Sequence, residues 1–216
     1  VAKNQQDSIR AEMLREELKN SRIVLAMSQI RTHFVFNILN AISGMCEYDP
    51  QKADKTLVMF AHYLRSNINI MEEDEPETFT KSLEHLEKYV FLEQVRFGEK
   101  IQFAKNIEAD NFKIPPLVLQ PLVENAIRHG LLHKKQGGTV ILHTWAENGD
   151  SIIEISDDGV GFDMANAPGQ ESVGMKNVRF RLKYMVGGTM DIKSTPGQGT
   201  TVTITIPGKH KIQKTE

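Results

Sequence analysis

Residues Leu117 to His129 read L-V-L-Q-P-L-V-E-N-A-I-R-H, behind the pair Pro115-Pro116 and ahead of Gly130. At ~3.6 residues per turn, Leu119, Leu122, Val123, Ala126 and Ile127 share one face. Glu124, Asn125, Arg128 and His129 share a compact polar one. The spacing predicts a helix laid on a core, with Gly130 placed to end it. An Asn amide oxygen beside a carboxylate suits Mg²⁺, which takes oxygen ligands and keeps several waters. Arg128 and His129 would meet phosphate oxygens. A polar helix face is more often simply solvated, so this stretch needs its neighbours.

Downstream, Thr139–Ala146 and Ser151–Ser156 read as strands joined by Asn148-Gly149, a strong hairpin signal. A helix is expected at about Met175–Met185, then strands at Thr189–Lys193 and Thr200–Ile206. In the last strand Val202, Ile204 and Ile206 alternate with Thr201, Thr203 and Thr205. Upstream, a helix at about Ser82–Phe97 carries Leu83, Leu86, Val90 and Val95, and a short strand is expected at Ile101–Ile107. Mixed strands with helices on one face make an α+β layer.

Two further clusters carry chemistry. Asp157-Asp158-Gly159-Val160-Gly161-Phe162 directly follows a strand. A carboxylate there accepts a hydrogen bond from an exocyclic amino group such as that of adenine, and Gly159 and Gly161 let backbone approach a flat ring. A tight surface turn is the plainer reading. Gly174-Met175-Lys176-Asn177-Val178 enters a helix that continues to Arg181, and its free amides and dipole would face phosphates. Between the two, Asp163–Val173 is rich in Ala, Pro, Gly and Ser and reads as a mobile lid. Gly197-x-Gly199-Thr200 would place the Thr200 hydroxyl near the same ring.

The first third is of another kind. From Ile9 to about Met45 the sequence has no Pro or Gly until Gly44 and predicts one long helix. A heptad seam runs through Leu14, Leu18, Ser21, Leu25, Ser28, Thr32, Val35, Leu39 and Ile42. Glu47-Tyr48-Asp49-Pro50 is expected to break it, and a second helix, about Lys52–Met71, would bury Leu57, Phe60, Ala61, Leu64 and Ile68. Two hairpins would make a four-helix bundle, though a helix packed within a monomer fits the same pattern. Within Gln29–Asn40, His33 stands on a polar stripe with Gln29, Asn37 and Asn40. Such a histidine is accessible and nucleophilic, or else an ordinary surface residue.

The chain has 216 residues, 40% hydrophobic and 25% charged, enough to bury a real core. A formal net charge of −2 gives no electrostatic case for nucleic acid. Cys46 is alone, which excludes a disulfide framework and a thiolate metal cluster. No signal peptide or apolar membrane-spanning run is visible. The first residue is Val, so a longer protein with a missing upstream part is expected.

Together the three downstream clusters resemble the N box and two glycine boxes of the ATPase superfamily shared by gyrase, histidine kinases and mismatch-repair proteins. The opening Q-I-R-T-H-F-V-F-N-I-L-N, Gln29 to Asn40, resembles the Q-x-x-P-H-F-L-F-N-x-L-N signature of LytS/YehU-type bacterial sensor histidine kinases. The resemblance covers roughly Gln29 to Pro207. It implies ATP and Mg²⁺ as cofactors, phosphorylation of His33, Mg²⁺ held through Asn125 and adenine contacted by Asp157. The glycine boxes, here Gly159, Gly161 and Gly174, would flank an ATP lid, with Arg128, His129, Asn177, Arg181 and Thr200 in the nucleotide site. Thr32 replaces the usual Pro before the histidine, Val35 replaces a Leu, and Ser172 stands where the second glycine box often begins with Gly. The hydrolysing members place a Glu one turn before the Mg²⁺ Asn; that position is Pro121 here, which argues for transfer to a side chain.

The implied organisation is α+β. Residues 1–75 would form a signalling helix and dimeric phosphoacceptor hairpin, 76–208 a Bergerat-type ATP-binding sandwich, and 209–216 a disordered tail. The implied activity is autophosphorylation of a homodimer on His33, then transfer to an aspartate of a response-regulator receiver domain. This would be the cytoplasmic portion of a membrane sensor, attached only through upstream segments. Two rivals are a degenerate nucleotide-binding scaffold and an anti-sigma-type serine kinase.

Overall fold

The computed structural model describes residues 32–70, 75–163 and 173–208, with side chains described to residue 67 in the first of these. The expected helix upstream of residue 32, the acidic linker at 71–74, Ser172 with most of the expected lid, and the tail from 209 lie outside the described residues. The chain divides between Asp74 and Glu75 into two compact units.

The first unit is a helical hairpin of α1 (Thr32–Tyr48) and α2 (Pro50–Ile70). Only Asp49 stands between them, a tighter break than the four residues expected. Its backbone N–H closes the last turn of α1 on the Met45 carbonyl at 2.8 Å. Its Oδ1 accepts from the Lys52 N–H at 3.0 Å, capping α2, and Pro50 fills the first helical position, where no N–H is needed. One residue therefore both ends one helix, through its backbone, and starts the next, through its side chain.

The buried rows share Ile42 and Phe60 with the expected faces and otherwise lie one position off them. In α1 the buried residues are Phe34, Ile38, Ile42 and Met45; in α2 they are Ala53, Thr56, Phe60, Tyr63 and Asn67. Phe34 meets Tyr63 edge-on, with ring centroids 5.5 Å apart. Thr56 is admitted because its hydroxyl donates to the Lys52 carbonyl, as the Asn67 amide does to that of Tyr63. Of the residues assigned to the buried face, Thr32, Leu39, Leu57 and Ala61 are instead exposed and Val35 and Leu64 half-buried. A two-helix contact uses a narrower stripe than these helices carry.

The second unit is a two-layer α+β sandwich. Its five-stranded sheet has the order β2-β4-β5-β7-β6, built from β2 (Ile101–Ile107), β4 (Gly138–Glu147), β5 (Asp150–Asp157), β6 (Thr189–Thr195) and β7 (Gly199–Ile206). β2 pairs parallel to β4 and the remaining pairs are antiparallel. Asn148 (φ 51°) and Gly149 (φ 92°) make the β4–β5 turn with both central residues left-handed, as the Asn-Gly signal requires. The register brings Leu142, Ile155 and Val202 into one cross-sheet row of the core, with Ile153 and Ile204 in the next.

Three helices cover this face: α3 (Phe79–Phe97), α4 (Leu119–Asn125) and α5 (Val173–Arg181). The expected stripe of α4 is buried throughout, Leu119, Leu122, Val123, Ala126 and Ile127 each at 7% exposure or less. The third helix starts at Phe79 rather than Ser82, because Thr78 caps it by accepting from the Lys81 N–H. A small antiparallel pair, β1 (Glu77–Thr78) with β3 (Lys113–Ile114), was not expected. It stacks Phe79 on Phe112 at 4.9 Å.

Gly130 does not end the helix it follows. The chain passes from α4 into a wider turn, Ala126–Gly130, and then a tight one, Leu131–His133, with Gly130 at φ −90°. The reason for glycine there is close approach, not a left-handed stop.

Candidate functional site

The site grows from the end of β5. Asp157 is its last residue and pairs in register with Thr200 near the start of β7. Its Oδ1 accepts from the Gly159 N–H at 2.8 Å. The Thr200 backbone N–H is a second donor. The carboxyl is 9% exposed, and burial raises its pKa above the ordinary aspartate range, partly offset by those two hydrogen bonds. A buried carboxylate with some accepting capacity left, and among the described residues no salt-bridged cation though Lys134 is near enough to favour its charged form, is prepared for an uncharged donor from a ligand.

Glycine makes room for it. A Cβ on Gly130 would stand 2.5 Å from Asp157 Oδ1, and one on Gly159 2.3 Å from Gly130 Cα. The wide turn after α4 therefore touches the Asp157 loop directly, and the Val160 N–H donates to the Gly130 carbonyl at 3.3 Å. Gly161, at φ +57°, would push a Cβ to 2.1 Å from the Thr195 carbonyl oxygen, so only glycine lets this loop lie on the β6–β7 turn. The Gly197 N–H donates back to the Val160 carbonyl.

The two aspartates of the loop separate. Asp158 points away from the Asp157 carboxyl's role: its Oδ1 accepts from the Thr139 N–H at 2.8 Å and so holds the start of β4. Lys134 donates to the Asp158 carbonyl at 2.6 Å and lies 3.7 Å from its carboxylate. Ser194, which the sequence reading missed, ties the other side. Its hydroxyl lies 2.9 Å from that of Thr200, and it accepts from the Phe162 N–H at 2.9 Å. Nothing in a lone Ser within a strand announces this; only the β6–β7 register, Ser194 opposite Thr200, brings it there.

The remaining expected residues lie on α4 and α5, which pack against each other. Asn125 is the last residue of α4 and half-buried; Arg128 and His129 are exposed in the turn beyond. Arg128 forms an ion pair with Glu124 at 3.2 Å. Gly174 is half-buried in the first turn of α5, Asn177 is exposed, and Arg181 donates to the Pro116 carbonyl at 3.2 Å, tying α5 to the approach to α4. Asp157, Gly159 and Thr200 thus form one hydrogen-bonded cluster, with Gly161 packed against the β6–β7 turn beside it, reached from α4 through Gly130. Among the described residues no group of three or more His, Cys, Asp or Glu side chains is arranged to hold a metal. Asn125 beside Glu124 offers oxygen donors only, the type that Mg²⁺ takes with waters and phosphates.

On the hairpin, His33 and Asn37 are neighbours one turn apart on α1. The Asn37 amide lies 3.0 Å from His33 Nδ1 and 3.3 Å from Nε2. His33 is exposed.

Comparison with known proteins gives two family matches in succession, the first of which crosses the boundary between the two units. A family described as histidine kinase matches residues 21–101, and one described as histidine kinase-, DNA gyrase B- and HSP90-like ATPase matches 115–210. The sensor histidine kinase YpdA of Escherichia coli is 34% identical over 218 residues, 97% of this chain and 38% of that protein. The sensor protein LytS of Staphylococcus haemolyticus is 33% identical, over 94% of this chain and 37% of its own. The putative uncharacterized protein YwpD of Bacillus subtilis is 34% identical over 83% of this chain and 67% of its own. The chain therefore spans little more than a third of the length of the two sensors. In fold, the histidine kinase domain of the blue-light activated histidine kinase EL346 from Erythrobacter litoralis superposes with a TM-score of 0.54 at 15% identity, over 90% of this chain and 94% of that one. Sequence match across both units places the chain in the histidine kinase family, with similarity to the kinase part of LytS-type sensors.

Proposed function

We propose that this chain is the kinase core of a two-component sensor, transferring the γ-phosphoryl group of ATP to His33. The observation that carries the reading is the pairing, in one chain, of an exposed histidine on a helical hairpin with a buried, glycine-walled carboxylate in an ATPase-type unit. Asp157 accepts from the adenine amino group, while Gly159 and Gly161 present backbone edges to the ring. Thr200 and Ser194 fix the far wall. Arg128, His129, Asn177 and the first turn of α5 at Gly174 face the phosphates, and Arg181 holds α5 to α4. Glu124 and Asn125 would hold Mg²⁺, which neutralises phosphate charge when bound.

His33 supplies the acceptor. A ring-nitrogen lone pair attacks the γ-phosphorus in line, an N–P bond forms, and the bond to the β-phosphate oxygen breaks with its electron pair leaving on ADP. Positioning and charge neutralisation supply most of the acceleration. Pro121, one turn before Asn125, offers no base to activate water, which favours the side chain over hydrolysis. The phosphoryl group then passes to a receiver-domain aspartate.

A homodimer follows from the hairpin's surplus apolar surface. Phe36, Leu39, Leu57 and Val58 are 43–60% exposed, and Val35 and Leu64 only half-buried. A second copy covering them completes a four-helix bundle. No helix among the described residues is long and apolar enough to cross a membrane. By likeness to the sensor relatives, membrane attachment would belong to segments upstream of this part, which would stand on the cytoplasmic side.

The test is incubation with Mg²⁺ and γ-labelled ATP. Label stable to alkali, lost in acid and absent from His33→Gln is expected. Label persisting in His33→Gln sinks the assignment, and ATP binding without any label points to a nucleotide-binding scaffold.

A further inference from the structure

One row of the sheet turns polar as it leaves the core. The strand registers set Asp157 of β5 opposite Thr200 of β7, and Thr200 opposite Ser194 of β6. Each lies two residues along its strand from the row Ile155, Val202 and Ile192, and so on the same helix-covered face. A base held by Asp157 therefore lies beside the Thr200 hydroxyl. A hydroxyl left to itself rotates to suit a donor or an acceptor and selects neither.

The partners of Ser194 remove that freedom. The Phe162 N–H, 2.9 Å from the Ser194 hydroxyl oxygen, can only donate to it, and the Gly199 carbonyl, at 3.1 Å, can only accept. A hydroxyl has one proton and two lone pairs. The proton goes to Gly199, one lone pair takes Phe162, and the other is left for Thr200 at 2.9 Å. Thr200 is then the donor in that bond, and its Oγ1 has only lone pairs to offer a ligand.

We infer that Ser194 is a specificity-determining positioning residue: by taking the Thr200 proton it makes Thr200 an acceptor beside the acceptor Asp157, so that the site takes a purine with a 6-amino group and rejects one with a 6-oxo group. This rests on the reading of Asp157 as the acceptor of the adenine amino group. An amino group brings N–H donors to a row of acceptors. A 6-oxo group would bring lone pairs to lone pairs and leave buried polar groups unpaired, which is how a polar site rejects a near-isostere. Asp157 begins the discrimination, and Ser194, acting through Thr200, extends it to the neighbouring strand.

The experiment is calorimetric titration of the whole 216-residue chain with Mg²⁺-ATP and with Mg²⁺-inosine triphosphate, which carries a 6-oxo group where ATP has the amine. Wild type, Ser194→Ala, Thr200→Val, the double variant and Asp157→Asn are compared. Wild type is expected to prefer ATP, and Ser194→Ala to narrow that preference about five- to tenfold, the worth of one hydrogen bond. With Thr200→Val already in place, Ser194→Ala should leave the ratio unchanged, because its effect travels through that hydroxyl. A merely structural role, such as holding the Phe162 N–H, would lower both affinities alike and not move the ratio. Wild type taking both nucleotides equally, a ratio unmoved by Ser194→Ala, or one moved just as far in the Thr200→Val background would each overturn the inference while leaving the Asp157 site in place. No ATP binding by wild type, or undiminished ATP binding by Asp157→Asn, overturns the reading of the site instead, and this inference with it.

Discussion

Gly130 and Asp157 are in contact across two elements: a methyl group on the glycine would lie 2.5 Å from the carboxylate's Oδ1. Such a separation is not attainable for a real Cβ, so Gly130→Ala must displace the Asp157 side chain or part the loop from the turn. We expect ATP affinity to fall at least about tenfold, the loss of one well-placed polar contact, while the unit remains folded. Calorimetric titration with Mg²⁺-ATP checks it. Gly44, exposed near the C-terminal end of α1 with nothing within 4 Å of an added Cβ, is the contrasting case. Gly44→Ala should stabilise the hairpin by about 0.5–1 kcal/mol and leave ATP binding alone, read by thermal unfolding.

Burial holds the Asp157 carboxyl above the ordinary aspartate range. The sign follows from which form each state prefers. The ligand-free fold favours the protonated acid, so its stability from this group is present at low pH and lost as pH rises through the raised value. ATP, offering a donor, favours the carboxylate. Nucleotide affinity should therefore fall as pH is lowered through a range above that of an exposed aspartate. Asp157→Asn should bind ATP weakly at every pH and lose that dependence, which isothermal titration between pH 4.5 and 8 checks.

These residues show what a sequence carries and what it does not. The α4 stripe, the Asn148-Gly149 turn and the Asp157 loop were legible because periodicity, a two-residue turn code and an aspartate between a strand and two glycines are local signals. Gly130 was visible but misread: a glycine after a helix has one local meaning, and close approach to Asp157 is a tertiary one. The two-residue strands β1 and β3 are too short to show a period, and the wide turns after α4 (Ala126–Gly130) and after α5 (Leu182–Val186, where the helix was expected to run on to Met185) have no compositional mark. Ser194 is legible only once the register is known. On the hairpin, pattern gave the apolar rows but not which faces the neighbouring helix, because two adjacent rows differ by one position and both are apolar.

Glu93 in α3 is 3% exposed, bound by Arg96 at 2.7 Å and by the Tyr89 hydroxyl at 3.2 Å. Burial raises its pKa, and Arg96 works against that shift. Arg96→Met removes the opposing cation and leaves a carboxylate desolvated, so we expect a loss on the order of 2–4 kcal/mol at neutral pH. Since the folded state then favours the protonated acid more strongly, the deficit should shrink as pH falls. Thermal unfolding at pH 8 and pH 5 checks it: a Tm deficit that is the same at both would mean Arg96 acts through packing.

The hairpin's open row provides the last test. Leu39 and Leu57 are 43% and 48% exposed, and Val58 and Phe36 more so, on helices whose mutual contact is already satisfied by Phe34, Ile38, Phe60 and Tyr63. Leu57→Glu places a charge on that row without touching the Phe34–Tyr63 contact, so helix content should be retained. If the row meets a second copy, the charge is buried without a partner there, a cost of several kcal/mol that exceeds what one leucine contributes to a two-state bundle. Analytical ultracentrifugation should then show wild type as a dimer and Leu57→Glu as a monomer at micromolar concentration. A dimer that persists in Leu57→Glu with Leu39→Glu added would move the interface off this row, whereas loss of the dimer with intact helices assigns the surplus apolar stripe to the partner hairpin.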